Sequence, residues 1–243
     1  MKDADYQERT YRLDCTGNDL EGFEVMVKES DLFIKAETDL SSEAIESLLK
    51  YRTQIEEYIE KKPQFKTSLT PLPQDALASE IVREMLRVGN VAGTGPMASV
   101  AGAIAHFVGR DLLKHSEEII VENGGDIFIK SKKDRKLGIY AGKSSFSKKI
   151  KIEIKAKNTP LGVCTSSGTV GHSLSFGRTD ATVVIALSAA LADACATAVG
   201  NVVRSDEDIK RGLDLAKGLE GVKGVLIIFD DKLGAWGDIK IVT

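Results

Sequence analysis

The segment ALADACATAVGN, residues 190–201, sets one carboxylate in the most apolar stretch of the chain: from Ala181 to Gly200 the only charged residue is Asp193. A helix opening at Ser188 stacks Asp193, Thr197, Gly200 and Asn201 on one face through the i, i+4, i+7, i+8 spacing. Leu191, Ala194, Ala198, Val199 and Val202 are left for a core. A carboxylate in such surroundings is costly unless it meets a cation or several hydrogen-bond donors. Oxygen ligands one helical turn apart, from Asp193 and Thr197, suit a hard cation such as Mg²⁺ that keeps other positions for phosphates. Bonding of Asp193 to loop N–H groups, or to a Lys or Arg, fits the same spacing equally well.

Three further stretches have residue types that could join such a site. In GTGPMASVAG, Gly93 and Gly95 let backbone approach a ligand, Pro96 suits a first helical turn, and free N–H groups at a helix start attract phosphate. Tight packing of a helix through Ala98, Ala101, Gly102 and Ala105 explains the same residues. In ENGGDI, Glu122–Ile127, the glycines describe a hairpin turn. Alternatively, Gly124 and Gly125 face a planar ligand while Asp126 accepts its hydrogen bonds. CTSSGTVGHSLSFG, residues 164–177, is a long polar loop with one of three histidines, His172, as a possible acid or base. It holds no GxSxG elbow, which speaks against a serine hydrolase. Cys164 is either a reactive thiol or a small buried strand-end residue.

These motifs need elements to hold them. Strands are expected at RTYRLDC, FEVMVKE and LFIKAE within residues 8–36, then a helix from Ser42 to about Lys61. A Pro-containing connector at 62–74 is the candidate lobe boundary of an otherwise single domain spanning 1–243. A helix over 75–88 precedes the motif-bearing region, 93–203. Strands are expected near 118–122, 126–131, 137–141, 149–155, 161–166 and 182–187, and helices at 188–203 and 206–217. GVLIIFD and DIKIVT close the chain as strands. Strands and helices arrive in groups, so the expected class is α+β, with mixed or antiparallel sheets packed with helices.

Composition narrows the function classes. A net charge of −3 over 243 residues gives no basic footprint for nucleic acid. Between Lys130 and Lys157 eleven Lys/Arg face only Asp134 and Glu153. This run is either a solvated strand face or a docking patch for an acidic or phosphate-bearing partner. Cysteines 15, 164 and 195 form no CxxC pair, which favours a reducing cytoplasm. The polar N-terminus lacks a signal-peptide core, and the 181–200 stretch reads as a strand followed by a buried helix rather than a membrane span.

Taken in order from Gly93 to Gly200, the four motifs resemble the ApbE family of flavin-binding proteins, which includes FAD:protein FMN transferases; the resemblance is to a largely archaeal branch. It implies an ApbE-like fold and a flavin nucleotide site lined by Asn123, Gly124, Gly125 and Asp126. Thr165, Ser166, Ser167, Gly168 and His172 are similar to the family's TSG segment and following histidine. ADACAT is similar to the helix whose Asp and Thr bind Mg²⁺, which implies Asp193 and Thr197 as ligands. The implied cofactors are FAD or a related nucleotide and Mg²⁺. The implied reaction transfers FMN to a Ser or Thr of a protein acceptor and releases AMP, with His172 and Asp193 as catalytic candidates. Two departures accompany this: PMASVAGAI has no lysine, and SLSFGRTD follows His172 where the family has IDP. A non-catalytic flavin or nucleotide-binding module, and a cysteine-dependent protein of anaerobic sulfur metabolism, are the alternatives.

Overall fold

A computed structural model describes residues 19–169 and 176–243. His172, Cys15 and the RTYRLDC strand expected near the start lie outside the described residues.

Eight strands form one antiparallel sheet in the order β1-β2-β3-β4-β7-β8-β9-β10. They are β1 Glu21–Val27, β2 Ser30–Ala36, β3 Ile119–Asn123, β4 Asp126–Lys130, β7 Leu161–Ser166, β8 Ala181–Ala186, β9 Val222–Phe229 and β10 Lys232–Gly237. A second sheet, also antiparallel, joins β11 Ile241–Val242, β6 Lys151–Ile154 and β5 Arg135–Gly138 in that order. Six α-helices are described, α1 Ser41–Lys61, α2 Gln64–Thr67, α3 Glu80–Ala92, α4 Val100–Leu112, α5 Ala189–Asn201 and α6 Ile209–Lys217, with short 3-10 helices at Pro96–Ser99, Ala156–Asn158 and Asp206–Asp208. The class is α+β, as the sequence pattern implies.

The large sheet is the middle of three layers. On β8, Val184 and Ala186 join a core shared with the helices, while Ala181, Val183 and Ile185 join one shared with the small sheet. A strand covered on both faces reads as a near-continuous apolar run, and ATVVIA is one apart from Thr182. The helical core unites Leu48 and Tyr51 of α1 with Ile81 and Met85 of α3, on either side of the 62–74 connector. Among the described residues no single helix is long and apolar enough to cross a membrane.

Three boundaries differ from expectation. The helix after the connector starts at Glu80, not 75, because the Asp75 side chain is engaged in a turn: its Oδ1 accepts the Leu77 N–H, and its Oδ2 takes Tyr58 and Lys62. The helix expected over 206–217 begins as a 3-10 turn at Asp206–Asp208. Strand β10 was not anticipated, since KLGAWG carries two glycines and lies mostly exposed at the sheet edge.

Candidate functional site

Helix α5 supplies the site's axis. Its N-cap Ser188 accepts the Leu191 N–H, and ten of its thirteen residues are buried. The three that are not are Asp193, Thr197 and Asn201, so the helix opens along one stripe at the i, i+4, i+8 positions. Gly200, expected in the same stripe, is buried close to the hydroxyls of Thr182 and Ser166.

Asp193 Oδ2 accepts the Gly102 N–H at 2.9 Å, and the Ala101 backbone supplies a second hydrogen bond. These are N–H groups of the first turn of α4, which have no partner within their own helix. The N–H partners of Asp193 thus belong to a helix start and not to a loop. Gly102 is what permits the approach, because a Cβ there would lie 2.3 Å from the Ala189 carbonyl oxygen and 2.7 Å from Asp193 Cβ. Despite these donors, burial raises the Asp193 carboxyl to about 7.

Asp126 comes to Asp193 on the hairpin between β3 and β4. Asn123 pairs with Asp126, leaving Gly124 and Gly125 as a two-residue loop with φ of 67° and 105°. Such a turn needs positive φ at both positions, which is the local reason for the two glycines. Among the described residues, a Cβ on Gly124 would meet nothing within 4 Å, and one on Gly125 only the Thr165 oxygen at 3.9 Å. Asn123 Nδ2 donates to the Ala101 oxygen at 3.0 Å and Gly125 N–H to Glu122 Oε1 at 2.7 Å, tying the hairpin to α4 and to itself. Asp126 is buried, and among the described residues its Oδ1 has no hydrogen-bond partner. Burial, then the Asp193 charge, pushes its carboxyl well above the usual range.

β7 brings the third motif alongside, since Cys164 pairs with Asp126 and Thr165 and Ser166 end the strand. Ser167 and Gly168 follow it, with Gly168 N–H donating to the Thr179 oxygen. The Cys164 thiol donates to the Ala189 oxygen at 3.2 Å, and burial raises its pKa well above normal. Burial likewise pushes Cys195 up to about 12. A thiolate is the reactive form of cysteine, so both are held in the inert one. Gly93 and Gly95 have local roles. Gly93, at φ 72°, ends α3 in the left-handed region, and a Cβ on Gly95 would sit 1.8 Å from the Ser68 oxygen.

The residues present fit a divalent cation. Asp193 offers a carboxylate whose charged form lacks a counter-charge, Asp126 Oδ1 is an orphaned acceptor nearby, and among the described residues Thr197 has no hydrogen-bond partner on its side chain. Among the described residues no group of three His, Cys, Asp or Glu could hold a metal by itself. A cation here would draw its other ligands from a bound molecule. Sequence reasoning missed the bracing of this site by Ala101, Gly102 and Glu122; the only signal was the run of small residues from Ala98 to Ala105.

Comparison with known proteins follows the same outline. Residues 14–218 match the family described as AbpE bacteria. The UPF0280 protein MJ1526 of Methanocaldococcus jannaschii is 42% identical over 221 residues, covering 88% of this chain and 90% of that one. The UPF0280 protein Mbar_A3697 of Methanosarcina barkeri is 37% identical over 220 residues, covering 89% and 87%. Among solved structures, the flavin transferase ApbE from Vibrio cholerae superposes with a TM-score of 0.58 at 13% identity, over 90% of this chain and 97% of that chain. The apo flavinyl transferase ApbE of Pseudomonas stutzeri gives 0.53 at 14%, over 90% and 94%. At such identities these two show a shared fold.

Proposed function

The chain belongs to the ApbE family, and from that premise we propose that it binds FAD or a related flavin nucleotide with Mg²⁺ and transfers FMN to a Ser or Thr of a protein acceptor. The observation that carries the reading is the open stripe of α5, where Asp193 and Thr197 stand free of the core beside the orphaned Asp126 oxygen. That structural neighbours are named flavin transferases supports it.

In this reading Asp193 and Thr197 hold the metal, while α4 fixes the Asp193 rotamer through Gly102. Mg²⁺, when bound, neutralises pyrophosphate charge, the main requirement of a loose phosphoryl-transfer transition state. The Gly124–Gly125 tip admits a flat ligand to the backbone, and Thr165, Ser166, Ser167 and Gly168 offer hydroxyls and N–H groups alongside. Burial, then the Asp193 charge, raises the Asp126 carboxyl, and a bound cation would favour its charged form. His172 is the proposed acid or base. The reading places a single functional unit in a reducing cytoplasm, in keeping with buried, unpaired Cys164 and Cys195.

The test is AMP release from FAD by the purified chain. Release should require Mg²⁺ and fall about 100-fold in Asp193→Ala. Release indifferent to both metal and substitution overturns the proposal. Flavin binding without AMP release selects a non-catalytic module, the reading favoured by the lysine-free PMASVAGAI segment.

A further inference from the structure

The opposite end of β7 from Thr165 borders a solvent-open groove of about 330 Å³ where the large sheet meets the small one, with Lys157 and Lys240 exposed on its rim. Its apolar lining includes Leu161 at the start of β7 and Ile185 on β8, both 3% exposed. Four lysines line it, Lys155, Lys157, Lys223 and Lys240, with no arginine and only two carboxylates, Glu153 and Asp238. Glu153 is already paired with both Lys155 and Lys240. Among the described residues, Lys157 and Lys223 have no carboxylate within ion-pair distance.

The backbone delivers Lys223 here through an irregularity. β8 and β9 pair Ile185 with Gly224 and Ala186 with Val222, so the register skips Lys223. An extra residue of this kind bends a strand and re-aims a side chain, and such features gather beside functional sites. The chain closes over the same spot, since Asp238 N–H donates to the Lys223 oxygen at 2.8 Å. At Gly237, with φ 78°, a Cβ would lie 2.2 Å from that oxygen. The groove is thus made by the crossover from β10 into β11, and a skipped residue leaves a lysine in its wall.

We propose that this groove is a second ligand site, taking a small organic phosphate whose apolar body rests on Leu161 and Ile185 while Lys157 and Lys223 bind the phosphate. An ammonium is a point charge suited to the oxyanions of a phosphate. The volume lies at the low end for ligand pockets, which limits the body to about one ring. The site uses no residue of the proposed FMN-transfer centre and is independent of that reading.

Calorimetric titration of the full chain with phenyl phosphate, phenol and inorganic phosphate tests the proposal. Phenyl phosphate should bind about tenfold more tightly than either fragment, and less tightly as salt rises. The Lys157→Gln/Lys223→Gln double variant, confirmed folded by its thermal transition, should lose about tenfold in affinity. Asp193→Ala should bind as wild type does. No binding at millimolar concentration, equal binding of inorganic phosphate, an unaffected double variant, or loss in Asp193→Ala would each overturn it.

Discussion

Two groups of desolvated carboxyls in this molecule behave in opposite ways. Glu118, on the loop before β3, is desolvated, yet its carboxyl is held below the usual range. Burial raises it, but the Ser131 hydroxyl at 2.5 Å, Arg135 at 2.9 Å and the Lys132 N–H at 2.8 Å together outweigh that. Arg135, 4% exposed, also reaches Asp19 at 2.5 Å. Asp126 and Asp193 have no such cation, and burial drives both upward. The first group has its cation among the described residues; the second has none among them. That difference, more than burial itself, separates a structural ion pair from a binding site.

The comparison can be broken most severely at Arg135. Arg135→Ala leaves Glu118 buried without its cation and should cost about 3–5 kcal/mol, read as a lower urea midpoint at constant slope. An unchanged midpoint would show that Glu118 needs no partner. At the other site Gly102→Ala should cost about 1–3 kcal/mol, because the new methyl strikes the Ala189 carbonyl and forces α4 from α5. The same variant should weaken metal binding by displacing the N–H that holds Asp193.

A smaller effect sharpens the contrast through pH. Asp193 has a folded pKa of about 7 against an ordinary 3.8, so the native state binds more protons than the unfolded chain between these values. Its contribution to stability is fully present below pH 4 and is lost as pH rises towards 7, by about 1 kcal/mol per pH unit. Asp193→Asn should flatten this slope in metal-free unfolding measurements, and a slope unchanged by the substitution would refute the assignment. Glu118 predicts the reverse, since a lowered carboxyl contributes stability that is lost as pH falls. Least affected should be Lys132→Ala, which removes exposed pairs to Glu37 and Glu117 and should shift stability by under about 0.5 kcal/mol.

Much of the fold was legible because it rests on local pattern. FEVMVKE alternates and became β1, LFIKAE is apolar-rich and became β2; ATVVIA is apolar but for Thr182 and became a strand covered on both faces. The NGGD turn follows from what two consecutive glycines allow. Strand β10 escaped notice because an exposed edge strand needs no apolar face. The basic run at 130–157 read as an unbalanced patch because several of its partners lie far away in the chain: Asp19 for Lys133 and Arg135, Glu37 for Lys132, and Glu118 for Arg135.

The spacing of Asp193, Thr197 and Asn201 was set by sequence alone, since helical periodicity depends only on covalent order. Which of these residues remained open, and what Asp193 would bond, was decided by tertiary structure. Its donor at Gly102 lies 91 residues away, and its acidic neighbour arrives on a different hairpin. Desolvation and counter-charge are properties of segments brought together by packing, and no local pattern encodes them.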